Sequence, residues 1–234
     1  MLRFAFLNEP PFCFRGRQGV PTGCDVELAR VIAARLEREI TFVETDFSQL
    51  LPGLSEHRWD ITTGLFITAE RAKVAAFSRP IWTLTDGLLV ARGNPVGLGG
   101  YASIASAGAR LVVVQDQVQH LNASAAGVLP EQILVCPGYE AAAHAVIKGD
   151  ADAFASVARA HLAFASAHSD RLEVVEVPQS EQPPAPGAFA LRLQDVDLLG
   201  DVDRELSGFL GTTAHARAME PFGLRHDEYA AILR

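Results

Sequence analysis

Two lobes of α/β architecture, each a mostly parallel sheet flanked by helices and joined by two hinge strands, are the fold this sequence predicts. Three observations point there. Apolar runs of strand length alternate with stretches of helical periodicity, the pattern of βαβ units. The alternation occurs as two series, separated by the breakers Gly93-Asn94-Pro95 and Gly97-Leu98-Gly99-Gly100. Finally, Gln182-Pro183-Pro184-Ala185-Pro186-Gly187 is unsuited to regular structure and marks a return crossing to the first series. The expected division is residues 1–91 with 188–234 in the first lobe and 92–187 in the second. A chain of 234 residues is long enough for both, each with an ordinary core.

In the first series, Phe4 to Leu7 reads as a short strand, broken by Asn8-Glu9-Pro10-Pro11. After the turn Pro21-Thr22-Gly23, Asp25 suits a helix N-cap, because its carboxylate accepts a bond from an orphan amide N–H. Leu28, Ile32 and Leu36 follow at helical spacing. Ile40 to Val43 is a strand, and Phe47 to His57 a helix in which Pro52 is tolerated only near the start. Trp59 to Ile61 is a strand and Thr62 to Ile67 a loop. Thr68 is a second N-cap with Glu70 favourable in the first turn. Leu84 to Ala91 closes the series as a longer strand.

The second series sets strands at Leu111–Val114, Ile133–Val135, Ala153–Ala155 and Leu172–Val177 between helices at Val118–Ala126, Tyr139–Lys148 and Ala158–Ala167. After the return, Phe189–Leu191 is a strand. Val196–Leu210 is a helix with Val202, Leu206 and Leu210 on one face, and the tail from Ala214 to Leu233 is helical. Ligands of open α/β sheets bind beyond the carboxyl ends of the strands. The loops at 8–12, 64–71 and 115–118 hold that position and would line a cleft between the lobes.

Composition removes several classes. The net charge of −8 opposes a nucleic-acid footprint, which needs a basic stripe. No apolar run approaches the ~20 residues of a membrane span. The three cysteines, Cys13, Cys24 and Cys136, form neither Cys-x-x-Cys nor a zinc spacing, so free buried thiols are expected. The glycines at 97–100 lack the Gly-Lys-Ser/Thr of a phosphate loop, and no Gly-x-Ser-x-Gly elbow or His-Glu-x-x-His occurs. The acids Asp195, Asp197, Asp201 and Asp203 lack the glycine and terminal Glu of a calcium loop. No cofactor, metal site or catalytic residue is expected.

Arg71 is the main candidate anchor. With Thr68 as N-cap it falls in a helix's first turn, where orphan N–H groups and the dipole favour an anion. A guanidinium grips a carboxylate with two parallel bonds, which fixes orientation as well as adding energy. The alternative is a surface arginine paired with Glu70.

Three segments in order carry a resemblance: Phe47-Ser-Gln-Leu-Leu-Pro-Gly-Leu-Ser-Glu-His-Arg-Trp-Asp60, Gly64-Leu-Phe-Ile-Thr-Ala-Glu-Arg71 and Ala76-Phe-Ser-Arg-Pro80. With Pro11-Phe12, Gly23-Cys24-Asp25, Gly149-Asp150-Ala151-Asp152-Ala153-Phe154 and Phe222-Gly223-Leu224, the sequence resembles the family 3 solute-binding proteins of polar amino-acid ABC importers, which have the type II periplasmic-binding fold. The resemblance implies a periplasmic protein, its leader removed since none is visible here. It would work as a monomer, close its lobes on a small carboxylate-bearing ligand and deliver that ligand to an ABC permease.

By resemblance, Gly64 and Phe66 offer backbone groups to the ligand and Thr68 a hydroxyl or N–H. Phe47 stands where the family often places an aromatic over the ligand; the alternative is a core anchor for its helix. Glu9 stands at a cleft position and would favour a cationic group on the ligand, or else is a solvated loop acid. Phe12 is a cleft neighbour or a core residue. In the second lobe, Asp116-Gln117 replaces the family's Gly-Thr pair, so Gln117 would donate to the ligand and Asp116 would point away. The family's ammonium-gripping Asp after Asp-Ala is missing: Ser156 and Val157 stand there. Burying an unpaired ammonium is costly. Either Glu9 or another acid replaces that contact, or the ligand is not an ordinary α-amino acid. A cyclohexadienyl dehydratase-like enzyme with Glu9 as general acid, and a ligand-sensing module, are the competing functions on the same fold.

Overall fold

The computed structural model describes residues 1–230. The chain divides into two compact units, Met1–Thr83 with Ala185–Arg234, and Leu84–Pro184. The first unit begins with β1 (Leu2–Phe6), the small hairpin β2 (Phe14–Arg15) and β3 (Pro21–Thr22), and α1 (Cys24–Arg35). It continues with β4 (Ile40–Glu44), α2 (Leu50–Ser55), β5 (Ile61–Phe66), β6 (Ala76–Phe77) and β7 (Trp82–Leu84). The second unit contains β8 (Asp86–Ala91), α3 (Tyr101–Ala107), β9 (Leu111–Val114), α4 (Val118–Ala125) and β10 (Ile133–Cys136). It then adds α5 (Tyr139–Lys148), β11 (Ala153–Val157), α6 (Ala158–Ser166) and β12 (Leu172–Glu176). The chain returns to the first unit as β13 (Ala185–Leu191), α7 (Val196–Phe209), α8 (Thr213–Met219) and α9 (His226–Ala230).

The first unit's sheet runs β4-β1-β5-β13-β6, with β7 also paired to β13. Its β1 pairs parallel to β4 and β5, whereas β13 pairs antiparallel to β5 and β6. The second runs β10-β9-β11-β8-β12, parallel at β9 and antiparallel on both edges of β8. Both sheets are therefore more mixed than the mostly parallel expectation. The βαβ part of each is parallel, and the strands that follow the crossings, β8 and β13, run against it.

Strand β8 corrects the expected lobe boundary. Assigned to the first lobe from sequence, it sits between β11 and β12 in the second sheet, where both its backbone edges are hydrogen-bonded. The divisions fall at 83/84 and 184/185 rather than 91/92 and 187/188. The expected loop at 62–67 is also corrected. Residues 61–66 form β5, because β1 on one side and β13 on the other pair with its backbone. The expected helix at 47–57 is a 3-10 turn, Phe47–Gln49, followed by α2 with Pro52 in its first turn. The tail is not one helix: Pro221 and Gly223 (φ 67°) interrupt it between α8 and α9. Leu233 lies outside the described residues.

Aromatic rings fill the first core. Phe4 and Phe189 are fully buried and meet edge to face at 5.5 Å, with Phe42 against Phe4 at 5.7 Å. Leu28 and Ile32 of α1 cover this sheet, each contributing about 1.5–3 kcal/mol by burial. At the amino end of β5, Asp60 accepts from Arg3 (2.8 Å) and Arg192 (3.0 Å), which ties β1, β5 and β13 together. Burial acts to raise the Asp60 carboxyl, but the two arginines outweigh it and hold it down at about 2. The carboxyl end of β5 is thus the end of a strand fixed on both sides. The second core packs Leu88, Val90, Leu111 and Val113 against Tyr101 and Ile104 of α3.

Candidate functional site

Strand β5 delivers Gly64 and Phe66 to the carboxyl end of the first sheet, and the chain then turns through Thr68 to Arg71. Thr68 Oγ1 accepts the Arg71 N–H at 3.1 Å, although the N-cap residue of the turn is Glu70. The element is a single 3-10 turn, Arg71–Lys73, not the expected helix. A dipole argument for an anion therefore has little to act through, and the case for Arg71 passes to its side chain. That side chain is almost fully buried (9 % exposed). Its Nη1 donates to the Phe66 carbonyl at 2.9 Å, and the guanidinium carbon lies 5.3 Å from the centre of the Phe47 ring. Glu70 pairs with Lys73 at the surface, so a surface ion pair between Arg71 and Glu70 is not what the structure shows. Phe47 is half-buried and opens its 3-10 turn, so it serves as the face of this cation rather than as a core anchor.

Gly64 has a structural part of its own. Its N–H donates to Asp25 Oδ2 at 2.8 Å and so is already committed within the protein. A Cβ at this position would lie 2.7–2.9 Å from the Trp82 indole, so packing demands the glycine. The Phe66 carbonyl serves Arg71, and its ring meets Trp82 edge to face at 5.3 Å. Phe12 is 6 % exposed and tilts against the other side of this system, 5.8 Å from Trp82.

Asp25 is not the N-cap of α1. Gly23 is, at φ 126°, where a Cβ would stand 2.2 Å from the Phe12 carbonyl oxygen. The strand-to-helix entry is sealed by the Cys24 and Asp25 amides donating to the carbonyls of Pro11 and Phe12. Asp25, now inside the first turn, points into the unit and is 1 % exposed. It accepts from Thr63 Oγ1 (2.6 Å), Gly64 N (2.8 Å) and Trp82 Nε1 (3.2 Å). Burial pushes its carboxyl up against the pull of those donors.

Glu9 is not a solvated loop acid. It is 8 % exposed, and its backbone is bridged to Cys13 through the Glu9 amide and the Cys13 carbonyl at 2.7 Å. Burial first, and the charge of Asp25 second, raise its carboxyl to about 7. A buried acid of this kind favours any cation that reaches it.

In the second unit, Gln117 is the N-cap residue of α4, 7 % exposed, and its Oε1 accepts from Ser156 Oγ at 3.3 Å. Ser156 ends up at 1 % exposure in β11, beside Val157 at 7 %. Asp116 is exposed, at φ 64°. Sequence reasoning missed the second unit's buried acid. Asp86 is 4 % exposed and accepts from Tyr101 Oη (2.7 Å), Gln119 Nε2 (2.7 Å) and Asn122 Nδ2 (2.8 Å). It also missed Trp82, whose partners Phe12, Asp25, Gly64 and Phe66 are scattered along the chain. Asp86 lies inside Leu84 to Ala91, which reads only as apolar strand, and Trp82 lies just before it, outside every motif. Among the described residues no cluster of His, Cys, Asp and Glu could hold a metal ion.

Known proteins resemble this chain over most of its length. A probable amino-acid ABC transporter periplasmic-binding protein of Sinorhizobium fredii is 28 % identical over 240 aligned residues, spanning 99 % of this chain and 79 % of that protein. The crystal structure of EhuB in complex with hydroxyectoine superposes with a TM-score of 0.90 at 28 % identity, covering 99 % of this chain and 90 % of that one. An ancestral amino-acid-binding protein described as a precursor of cyclohexadienyl dehydratase gives a TM-score of 0.83 at 25 % identity, with 94 % of each chain covered. Residues 2–219 match the family described as bacterial extracellular solute-binding proteins, family 3. The chain belongs to that family.

Proposed function

We propose that this chain is the solute receptor of an ABC importer and that its solute is a compact zwitterion of the hydroxyectoine kind, a carboxylate joined to a delocalised ring cation. In this reading Arg71 holds the carboxylate, with Thr68 beside it. Glu9 balances the cation, and Phe47, Phe66 and Phe12 supply ring faces. The observation that carries it is the pairing of a buried acid at Glu9 with Ser156 and Val157 where an ammonium-gripping acid is usual. A ring cation spreads its charge and presents few N–H groups, so one acid and aromatic faces satisfy it. A primary ammonium asks for more acceptors. The likeness to a hydroxyectoine-bound protein over nearly the whole chain supports the same choice. Gln117 and Ser156 are proposed as ligand contacts of the second unit on the family resemblance. The periplasm and an ABC permease partner follow from the family and from the Sinorhizobium relative.

Titration calorimetry with hydroxyectoine, arginine and glutamine tests the reading. Hydroxyectoine should bind at least about tenfold more tightly than either amino acid, a difference of ~1.4 kcal/mol. Tight arginine binding with no hydroxyectoine heat would refute it. A second reading has one observation in its favour. A carboxyl held near neutrality is suited to general-acid work, and the dehydratase precursor shares this fold. Turnover of prephenate or arogenate by the purified chain would establish that reading, and its absence would remove it.

A further inference from the structure

Asp25 is a buried carboxylate whose two oxygens both accept from N–H groups that can only donate: Gly64 N on Oδ2 and Trp82 Nε1 on Oδ1. These two bonds join α1, the carboxyl half of β5 and β7. The Trp82 indole they orient is 4 % exposed and is gripped on several sides. A Cβ at Gly64 or at Gly187 would fall within 2.0–2.9 Å of its ring atoms, so two strands have given up their side chains to seat it. Phe12 and Phe66 pack on the same ring, at 5.8 and 5.3 Å. The Phe66 carbonyl in turn holds Arg71 Nη1. The path from Asp25 to the guanidinium runs through the indole hydrogen bond, the Trp82–Phe66 ring contact, Phe66 itself and the hydrogen bond from Arg71 to its carbonyl.

We propose that Asp25 is a positioning residue for ligand binding, acting through Trp82 to set the Phe12 and Phe66 rings and the Phe66 carbonyl that orients Arg71. This inference rests on the proposed ligand site and names the device that shapes it. An ordinary first-turn acid on α1 would favour the helix amino end from the surface. This one is turned inward, spends its oxygens on the strand and the indole, and leaves the capping position to Gly23. A displacement of about 1 Å at a recognition group is enough to cost a large part of an affinity, so a rigid seat beneath the rings has a direct functional consequence.

The chain has two tryptophans, Trp59 and Trp82, so its amide-proton spectrum contains two indole N–H resonances. Trp82→Phe identifies one of them by deletion. In the wild-type chain, hydroxyectoine should move the Trp82 resonance as it binds. Asp25→Asn puts an N–H against an N–H on one side of the former carboxylate. It should shift the Trp82 resonance in the free protein, and it should weaken hydroxyectoine about tenfold or more by calorimetry. A merely structural Asp25 would lower the melting temperature while leaving the dissociation constant within about twofold, and that result overturns the proposal. If Asp25→Asn does not fold, Trp82→Phe carries the test, since it keeps the Gly64 and Thr63 bonds to Asp25 and removes the indole donor together with part of the ring that Gly64 and Gly187 make room for. Unchanged affinity in folded Trp82→Phe also overturns the proposal. A wild-type chain that fails to bind hydroxyectoine overturns the ligand reading and this role together, whereas tight wild-type binding with an indifferent Asp25→Asn overturns this role alone.

Discussion

Replacing Glu9 by Gln should make the protein more stable and less functional at once. Glu9 is buried, and its carboxyl is raised from 4.5 to about 7, by burial first and Asp25 second. An acid raised in the folded state binds its proton more tightly there than in the unfolded chain. Its ionisation therefore costs nothing below pH ~4.5; the cost grows as pH rises from there to ~7 and is constant above. At ~1.4 kcal/mol per pH unit the full cost is about 3 kcal/mol. Glu9→Gln keeps the shape and removes the titration. Thermal melts at pH 4 and pH 8 should show little difference between variant and wild type at pH 4 and a more stable variant at pH 8, by roughly 5–10 °C for a chain of this size. Calorimetry on the same samples at pH 8 should show weaker hydroxyectoine binding in the variant, because the balancing charge is gone. A gain in stability paired with a loss of binding is the signature of a group kept for function. An equal shift in melting temperature at both pH values would refute the account of Glu9. So would a variant less stable than wild type at pH 8.

Arg71→Ala should abolish carboxylate-ligand binding in calorimetry, with a loss of several kcal/mol, because the ligand's charge would lose a buried partner; affinity near the wild-type value would remove the anchor assignment. Val157→Asp restores an acid where amino-acid receptors carry one, but Val157 lies directly opposite Asp86 across β11 and β8. Two carboxylates on one face should lower the unfolding free energy from denaturant melts by roughly 1–3 kcal/mol, and an unchanged value would refute the clash. His161 is fully buried, with its Nδ1 2.7 Å from Tyr139 Oη, and burial lowers it to about 3. A base lowered in the folded state loses stability as pH falls below its unfolded value of ~6.5, by ~1.4 kcal/mol per pH unit until ~3. Because Glu9 contributes the opposite slope in both chains, the test is the difference: the unfolding free energy of His161→Gln relative to wild type, from denaturant melts, should rise as pH falls from 7 to 4, and a constant difference would refute the account.

The alternation of strand-length and helix-length segments placed nearly every element, because periodicity of 2 or 3.6 is a local property that one stretch of chain carries by itself. The bond between Thr68 and the Arg71 N–H was legible for the same reason: its partners lie three positions apart. What local pattern lacked was pairing. Strand β8 reads as apolar in either unit, and only its hydrogen bonds to β11 and β12 assign it. Segment 62–66 reads as a loop because Gly64 weakens the strand signal, yet flanking strands on both edges make it one. Asp25 looked like a cap on spacing alone, and its true work depends on Thr63, Gly64 and Trp82, which lie 38 to 57 positions away. Glu9 was open between a wet loop and a buried site, and the difference is desolvation, a property of everything packed around it. Sequence by itself determined the architecture and the family, since these reside in short-range pattern. Tertiary structure decided which acids are buried, which glycines serve a ring rather than a ligand, and where the units divide, since each of these is a contact between residues distant in the chain.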